Sequence, residues 1–303
     1  MKILNFGSLN IDYVYGVSHF VEKGETISSD TLQVFAGGKG LNQSIALSRA
    51  GADVYHAGVI GADGMFLGEI LCEAGVDTRY LKISQETRTG NAVIQKDREG
   101  DNCIILYGGA NQAVTKELAD MVLENFEKGD WMVLQNEISE IPYLVEKAHE
   151  KGMQIVLNPS PMNEKIFDIN LDYIDCFLLN EVEARALLQS DGDSQILLKQ
   201  LKERFSHAEI VLTLGEKGSM YAGEQGIAEQ SAYKVDTVDT TAAGDTFTGY
   251  YTASRLLGKT VEEALYMAAR ASAIAVSKMG AAPSIPERDQ VLEFAADRSF
   301  QWM

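Results

Sequence analysis

The run Asp239-Thr240-Thr241-Ala242-Ala243-Gly244-Asp245-Thr246-Phe247 places a carboxylate directly behind Ala-Ala-Gly, where no bulky side chain crowds the backbone. The residues from Thr246 onward, TFTGYYTASRLLG, carry apolar side chains at helical spacing, so the run reads as the start of a helix. Bare amides at a helix start attract anions. An Asp near a helix N-terminus is itself favourable for the dipole by roughly 0.3–1 kcal/mol, but that does not explain the Ala-Ala-Gly before it. A place that attracts negative charge and also holds a base is what phosphoryl transfer to an alcohol needs. In that chemistry Asp245 takes the hydroxyl proton while the amides of Ala242, Ala243 and Gly244 meet the charge of the transferring group.

Four further groupings can bind polar ligands, and each has a plainer structural reading beside it. Asn10 and Asp12 follow the first apolar run at alternate positions, so both side chains point the same way if that strand extends so far. They suit the hydroxyls of a sugar, and a turn-forming pair explains them equally. The stretch Gly37–Gln43, GGKGLNQ, is a glycine-rich turn running into a helix over Leu41–Ala50. It has neither the spacing of a P-loop nor the third glycine of a dinucleotide fingerprint. Lys39 can hydrogen-bond a polar ligand there, or the glycines can serve only to turn the chain. Asn180-Glu181-Val182-Glu183 follows the run IDCFLL and reads as a capping box; a carboxylate at a strand's carboxyl end also helps hold hydrated Mg²⁺. Thr213-Leu214-Gly215-Glu216-Lys217-Gly218 is either a strand-turn-strand or a backbone-open edge for a nucleotide.

The elements that must position these groups follow from periodicity. Ile3–Ser8, Val54–Ile60, Trp131–Gln135, Ile155–Leu157, Ile174–Leu179 and Ile210–Leu214 read as buried strands, and Ile141–Lys151 and Asn180–Gln189 as helices between them. This alternation implies βαβ units and a mostly parallel sheet covered by helices, with ligands at the strands' carboxyl ends. Residues Asp12–Phe35 and Thr89–Leu106 break the rhythm with alternating patterns, and Glu99-Gly100-Asp101 reads as a hairpin turn. They predict a small separate sheet, a candidate lid beside the crevice. Late in the chain, Val261–Met279 and Glu287–Ala296 have helical spacing.

Composition bounds the rest. The 303 residues can bury a large core, and 46% hydrophobic content with only 5 Pro predicts one main globular domain. With 26 basic against 44 acidic residues the net charge is −18, which excludes a broad basic footprint for nucleic acid or an anionic membrane. A bound phosphate must therefore be held locally. No stretch approaches the apolar length of a membrane span, and the N-terminus reads as a buried strand rather than a signal peptide. Cys72, Cys103 and Cys176 are scattered, which argues against disulfides and zinc and predicts a cytoplasmic protein. His19, His56, His149 and His207 show no paired spacing and read as surface or core residues before ligands.

Taken together, AGGKGLNQSIALSRAGADV near the N-terminus and DTTAAGDTFTGYY late in the chain resemble the ribokinase-like (PfkB) carbohydrate kinases, in the right order and separation and over nearly the whole chain. The resemblance implies a three-layer α/β/α sandwich with a mostly parallel sheet, plus a β-sheet lid formed by about residues 12–36 and 88–108. It implies transfer of the ATP γ-phosphate to a sugar's primary hydroxyl, D-ribose first, with another sugar or a nucleoside as alternative acceptors. A non-catalytic sugar-binding protein on the same fold is the reading of a different class. On this likeness Asp245 is the base, and Ala242, Ala243 and Gly244 line the anion hole. Asn10, Asp12, Gly38, Lys39, Asn42 and Glu137 match the sugar positions. Asn180 and Glu183 match the Mg²⁺ and phosphate motif, and Thr213, Gly215 and Gly218 the nucleotide edge. Asp239, Thr241, Ala275, Lys278, Gly280 and Ser284 match a monovalent-cation site, usually for K⁺. Ala269 or Arg270 stands where the family commonly carries an Asn near the adenine. Lid-mediated homodimers are a family habit that the exposed strand edges here would suit.

Overall fold

Thirteen strands and nine α-helices form over the described part of the chain; the computed structural model describes residues 1–99 and 101–294. The strands are β1 (Ile3–Phe6), β2 (Asn10–Gly16), β3 (Thr31–Gly37), β4 (Val54–Gly61), β5 (Asp77–Ser84), β6 (Gly90–Lys96), β7 (Asn102–Tyr107), β8 (Trp131–Gln135), β9 (Gln154–Asn158), β10 (Cys176–Asn180), β11 (Glu209–Thr213), β12 (Ser219–Gly223) and β13 (Gly226–Gln230). The helices are α1 (Lys39–Arg49), α2 (Met65–Glu73), α3 (Lys116–Leu123), α4 (Ile141–Lys151), α5 (Glu181–Leu188), α6 (Ser194–Arg204), α7 (Ala243–Leu256), α8 (Val261–Val276) and α9 (Arg288–Glu293).

Nine strands make one sheet in the order β13-β12-β11-β10-β9-β8-β1-β4-β5, parallel from β11 to β5 and antiparallel at the β11–β12 and β12–β13 pairs. Central strands with both faces covered need apolar side chains in both directions, and β1 shows this. Leu4 and Phe6 enter a core with Val122, Leu144, Leu187 and Leu201 of α3, α4, α5 and α6. Ile3 enters the opposite core with Ile45, Leu67, Phe247 and Leu265 of α1, α2, α7 and α8. The result is the expected three-layer α/β/α arrangement. Because β1 lies between β4 and β8, the strand order reverses there, which opens a crevice at the carboxyl ends.

The remaining strands form a separate four-stranded sheet, order β3-β2-β6-β7. Two antiparallel pairs, β2–β3 and β6–β7, are joined by a parallel β2–β6 pairing in which Asn10 sits beside Gly90 and Asp12 beside Ala92. The first strand does not extend to Asn10 and Asp12: β1 stops at Phe6, and both residues belong to β2 of the small sheet, within which the sequence pattern places Asp12, and alternation sends them to one face. The turn read at Glu99-Gly100-Asp101 includes Gly100, outside the described residues; Asp97 Oδ1 accepts the amides of Glu99 and Asp101 at 3.0 Å each and caps that connection. Residues 295 and 296 of the helix read over Glu287–Ala296 also lie outside the described residues.

Candidate active site

The site begins where two helices meet end to side. At Gly249 a Cβ would lie 2.3 Å from Ala46 Cβ, and at Gly40 one would lie 2.3 Å from the Ser8 amide nitrogen. Glycine at these two positions therefore lets α7 press onto α1, and α1 onto the loop that ends β1. One turn before Gly249, Asp245 is carried into contact with α1. Its Oδ2 accepts from Asn42 Nδ2 at 3.0 Å and its Oδ1 from Gln43 Nε2 at 2.9 Å. Asp245 is 8% exposed, and it has two amide donors without a salt bridge.

The start of α7 is formed by an unusual backbone. Ala242 caps the helix in the left-handed region at φ 61°, with no side-chain cap. A non-glycine residue there stores strain of order 1–3 kcal/mol, a feature that clusters at functional sites. The Ala243 amide reaches Thr240 O at 3.3 Å and that of Thr246 reaches Ala242 O at 2.8 Å, whereas the N–H groups of Gly244 and Asp245 meet no acceptor among the described residues. Free donors at a helix N-terminus are an anion site.

Around this point lies a cavity of about 200 Å³ lined by Lys39, Asn158, Ser160, Asn180, Glu183, Thr213, Thr240, Ala242, Gly244, Asp245 and Thr248, among others. Its polar groups come from the carboxyl ends of β9, β10 and β11 and the amino ends of α1 and α7. Burial works against charge on Lys39, but the carboxylates of Asp245, Glu137 and Glu183 outweigh it and hold the ammonium above its usual range. Glu137, in the loop after β8, accepts the Lys39 amide at 3.1 Å and the Ser8 hydroxyl. Burial pushes its carboxyl up against the pull of the Lys39 ammonium. Burial, with the Glu137 charge added, also pushes Asp12 up to about 6.

Glycine again makes room at Asp12: a Cβ on Gly37 would stand 2.1 Å from its Oδ2. Asn10 is buried and accepts from Asn111 Nδ2 at 2.8 Å, and Asn111 is itself anchored by the Leu9 amide at 3.0 Å. Gly38, at φ 96°, turns the chain between β3 and α1. Asn180 and Glu183 form the capping box: Asn180 Oδ1 accepts the Glu183 amide at 2.9 Å and Glu183 Oε2 the Asn180 amide at 3.0 Å. Both still line the cavity, so capping and ligand contact are compatible. Gly215 (φ 58°) and Gly218 (φ 105°) shape the turn from β11 to β12; a Cβ on Gly215 would meet nothing, whereas one on Gly218 would strike Gln230 O at 2.0 Å.

Asp239, Thr241 and Gly280 come together nearby. Asp239 Oδ1 accepts from the Thr241 amide at 2.9 Å and hydroxyl at 2.6 Å, and Oδ2 from the Gly280 amide at 3.0 Å. Burial pushes this carboxyl up, but those hydrogen bonds outweigh it and hold it below the usual range. The Ala275 carbonyl accepts the Lys278 amide at 3.1 Å, and Ser284 turns its hydroxyl to Ala281 O at 2.7 Å. Among the described residues no three His, Cys, Asp or Glu side chains are grouped to hold a metal ion. Asn111, Gln43 and Gln135 are polar residues of this region that sequence reasoning passed over.

Residues 1–288 match the family model described as pfkB family carbohydrate kinase, and the chain belongs to that family, whose members are phosphotransferases with an alcohol acceptor. It is 35% identical over 301 residues to a ribokinase of Staphylococcus aureus, covering 96% of this chain and 98% of that protein. Among solved structures, a ribokinase of Cryptococcus neoformans in complex with ADP is 34% identical with a TM-score of 0.84, covering 96% of this chain and 99% of the other. An Arabidopsis thaliana ribokinase complexed with ribose and ATP is 29% identical with a TM-score of 0.85, covering 97% and 99%. No helix among the described residues is long and apolar enough to cross a membrane.

Proposed function

We propose that this chain transfers the γ-phosphate of ATP to the primary hydroxyl of D-ribose, with Asp245 as the general base. One observation carries the reading: a buried carboxylate, held by Asn42 and Gln43 of an early helix, stands at the first turn of α7 beside unpaired helix amides. With both its oxygens anchored and lone pairs left over, Asp245 accepts the hydroxyl proton as the oxygen attacks phosphorus. General-base help of this kind contributes about 10²–10⁴ in rate. The free amide of Gly244, at the turn that Ala242 and Ala243 line, and the Lys39 ammonium meet the charge of the phosphoryl group, each well-placed donor being worth roughly 2.7–4 kcal/mol.

Asn10, Asp12, Gly38, Lys39, Asn42 and Glu137 hold the sugar in this reading. The raised pKa values of Asp12 and Glu137 fit acids buried to receive hydroxyls. Thr213, Gly215 and Gly218 border the nucleotide, and Asn180 and Glu183 serve its phosphates. One carboxylate at a strand's carboxyl end suits Mg²⁺, which keeps most of its waters, and Glu183 would hold it through water. Mg²⁺ would screen the phosphate charge. Asp239 and Thr241, with the main chain of Ala275, Lys278, Gly280 and Ser284, would hold K⁺: a single carboxylate with carbonyl oxygens suits a large monovalent ion, which would stabilise the loop that opens α7. The whole chain acts as one kinase domain with the small sheet as its lid.

The lid also supports a homodimer. Its edge strand β7 leaves Ile104 (55%), Ile105 (63%), Leu106 (48%) and Tyr107 (53%) exposed, an apolar edge that a second copy would cover. The test of the reading is a panel of acceptors with ATP, Mg²⁺ and K⁺, read by ADP release and by the position of the new phosphate. D-ribose should give the highest kcat/KM, with phosphate on O5. A nucleoside or another sugar preferred over ribose would overturn the substrate, and no turnover with any acceptor would favour a binding protein.

A further inference from the structure

Beneath Asp245 a single chain of hydrogen bonds runs through the core. Asn5 on β1, Gln43 and Ser44 on α1, His56 on β4 and Gln135 on β8 are all 1% exposed or less. Gln43 Nε2 donates to Asp245 Oδ1 at 2.9 Å, and Gln43 Oε1 accepts from Gln135 Nε2 at 2.8 Å. The same Gln135 nitrogen donates to Asn5 Oδ1 at 3.0 Å. Asn5 Nδ2 in turn donates to the Gly40 carbonyl at 2.8 Å and to Ser44 Oγ at 2.9 Å, and Ser44 Oγ lies 2.7 Å from His56 Nδ1. Burial pushes the His56 pKa down to about 3, so the ring is neutral. The Gly40 carbonyl can only accept, so it fixes Asn5 with Nδ2 toward itself and Ser44 and with Oδ1 toward Gln135.

The amides of Asn5, Gln135 and Gln43 thus each have one permitted orientation. If the Gln43 amide turned over, its oxygen would face the Asp245 carboxylate and its NH₂ would face the NH₂ of Gln135. Gln135 decides which way it lies. A second observation separates this from a stabilising role: Gln135 Oε1 is buried without a partner, and a Cβ on Gly7 would stand 2.5 Å from it. An amide that leaves one buried oxygen unpaired is a poor choice for stability alone, because an apolar side chain of the same shape would carry no such penalty.

We propose that Gln135, itself fixed by Asn5 with its Gly40 and Ser44 contacts, is a positioning residue that sets the amide of Gln43 and so aims the Asp245 carboxylate at the acceptor hydroxyl. The proposal rests on Asp245 being the base. Three variants of the full chain test it: Gln135→Met, Gln43→Met and the double replacement, assayed for kcat and KM with D-ribose at saturating ATP and for melting temperature. Each single replacement should lower kcat about tenfold or more while the sugar KM stays within about threefold, since a slightly misaimed base slows the chemical step and spares binding. The double variant should be no more than about twofold slower than the slower single one, because Gln135 acts through Gln43. An unchanged kcat in folded Gln135→Met, or losses that multiply in the double variant, would overturn the proposal. If the amide replacements do not fold, Ser44→Ala, which removes one hydroxyl, should still lower kcat about threefold at constant KM, and an unchanged kcat would overturn it. Asp245→Asn run in parallel separates the two claims: full turnover there rejects the base itself, whereas its loss beside an unaffected Gln135→Met rejects only the positioning role.

Discussion

At the junction of α1 and α7, Gly249 and Ala46 bring two backbones into contact, and Asn42, Gln43 and Asp245 are at most 8% exposed. In the four-stranded sheet, β7 is exposed along its whole length, and Leu32 and Val34 of β3 are exposed as well. The first carries the proposed base; the second carries Asn10 and Asp12, and Asp12 feels the charge of Glu137. The difference separates two tasks. A base must be aimed to within a fraction of an ångström, so it stands where two helices and a parallel sheet leave it one position. In the proposed function the small sheet covers the sugar, a task that tolerates exposed edges, and those edges are where the proposed dimer would form.

Breaking the junction should have the largest effect. Gly249→Val puts side-chain carbons into Ala46 and Leu47, and overpacking of this kind costs typically 1–3 kcal/mol. A clear fall in melting temperature is expected, with kcat reduced about a hundredfold as Asp245 shifts. A variant with unchanged melting temperature and rate would show that the junction is not what places the base.

The cover should answer to pH. Asp12 titrates near 6 against an ordinary value of 3.8, so it takes up its proton as pH falls through 6, where an exposed carboxylate stays ionised. If ionised Asp12 accepts sugar hydroxyls, the KM for ribose should rise about tenfold between pH 7 and pH 5, one unit below that pKa. Asp12→Asn should have a raised KM that no longer varies over this range; a wild-type KM flat from pH 7 to 5 would remove Asp12 from the pocket.

Smaller effects are expected from the outer edge and from the loop before α7. Ile105→Lys places a charge on the exposed strand and should turn a dimer into a monomer by sedimentation, whereas a wild-type chain already monomeric at high concentration would end the lid-dimer reading. KCl should raise kcat several-fold over choline chloride at equal ionic strength; equal responses would remove the cation from the Asp239 loop.

Much of this architecture was legible in the sequence because burial leaves a period. The runs that became β8, β10 and β11 (WMVLQ, CFLLN and EIVLT) are mostly apolar, and Ala-Ala-Gly-Asp marked the start of α7. The strand β5 was not, since DTRYLKIS is half exposed with charges along it, and helices α2, α3 and α6 passed without strong signals. Asp12 fell within the segment read as the small sheet, but that Asn10 opens the same strand was not legible, because Gly7-Ser8-Leu9 carries no Pro or charge to mark the break between β1 and β2. The hydrogen-bond partners of Asp245 were the hardest to find. Gln43 was in plain view within GGKGLNQ, but its contacts lie 202 residues ahead at Asp245 and 92 residues away at Gln135. A buried amide looks like any surface Gln until the fold supplies its partner.

The central claim is that Asp245 removes the proton from the acceptor, and one pair of numbers tests it: kcat and the ribose dissociation constant of Asp245→Asn, each against wild type. A fall in kcat of about 10²–10⁴ with ribose binding kept within about threefold is the predicted result. Turnover within tenfold of wild type in a variant that still binds ribose would contradict it.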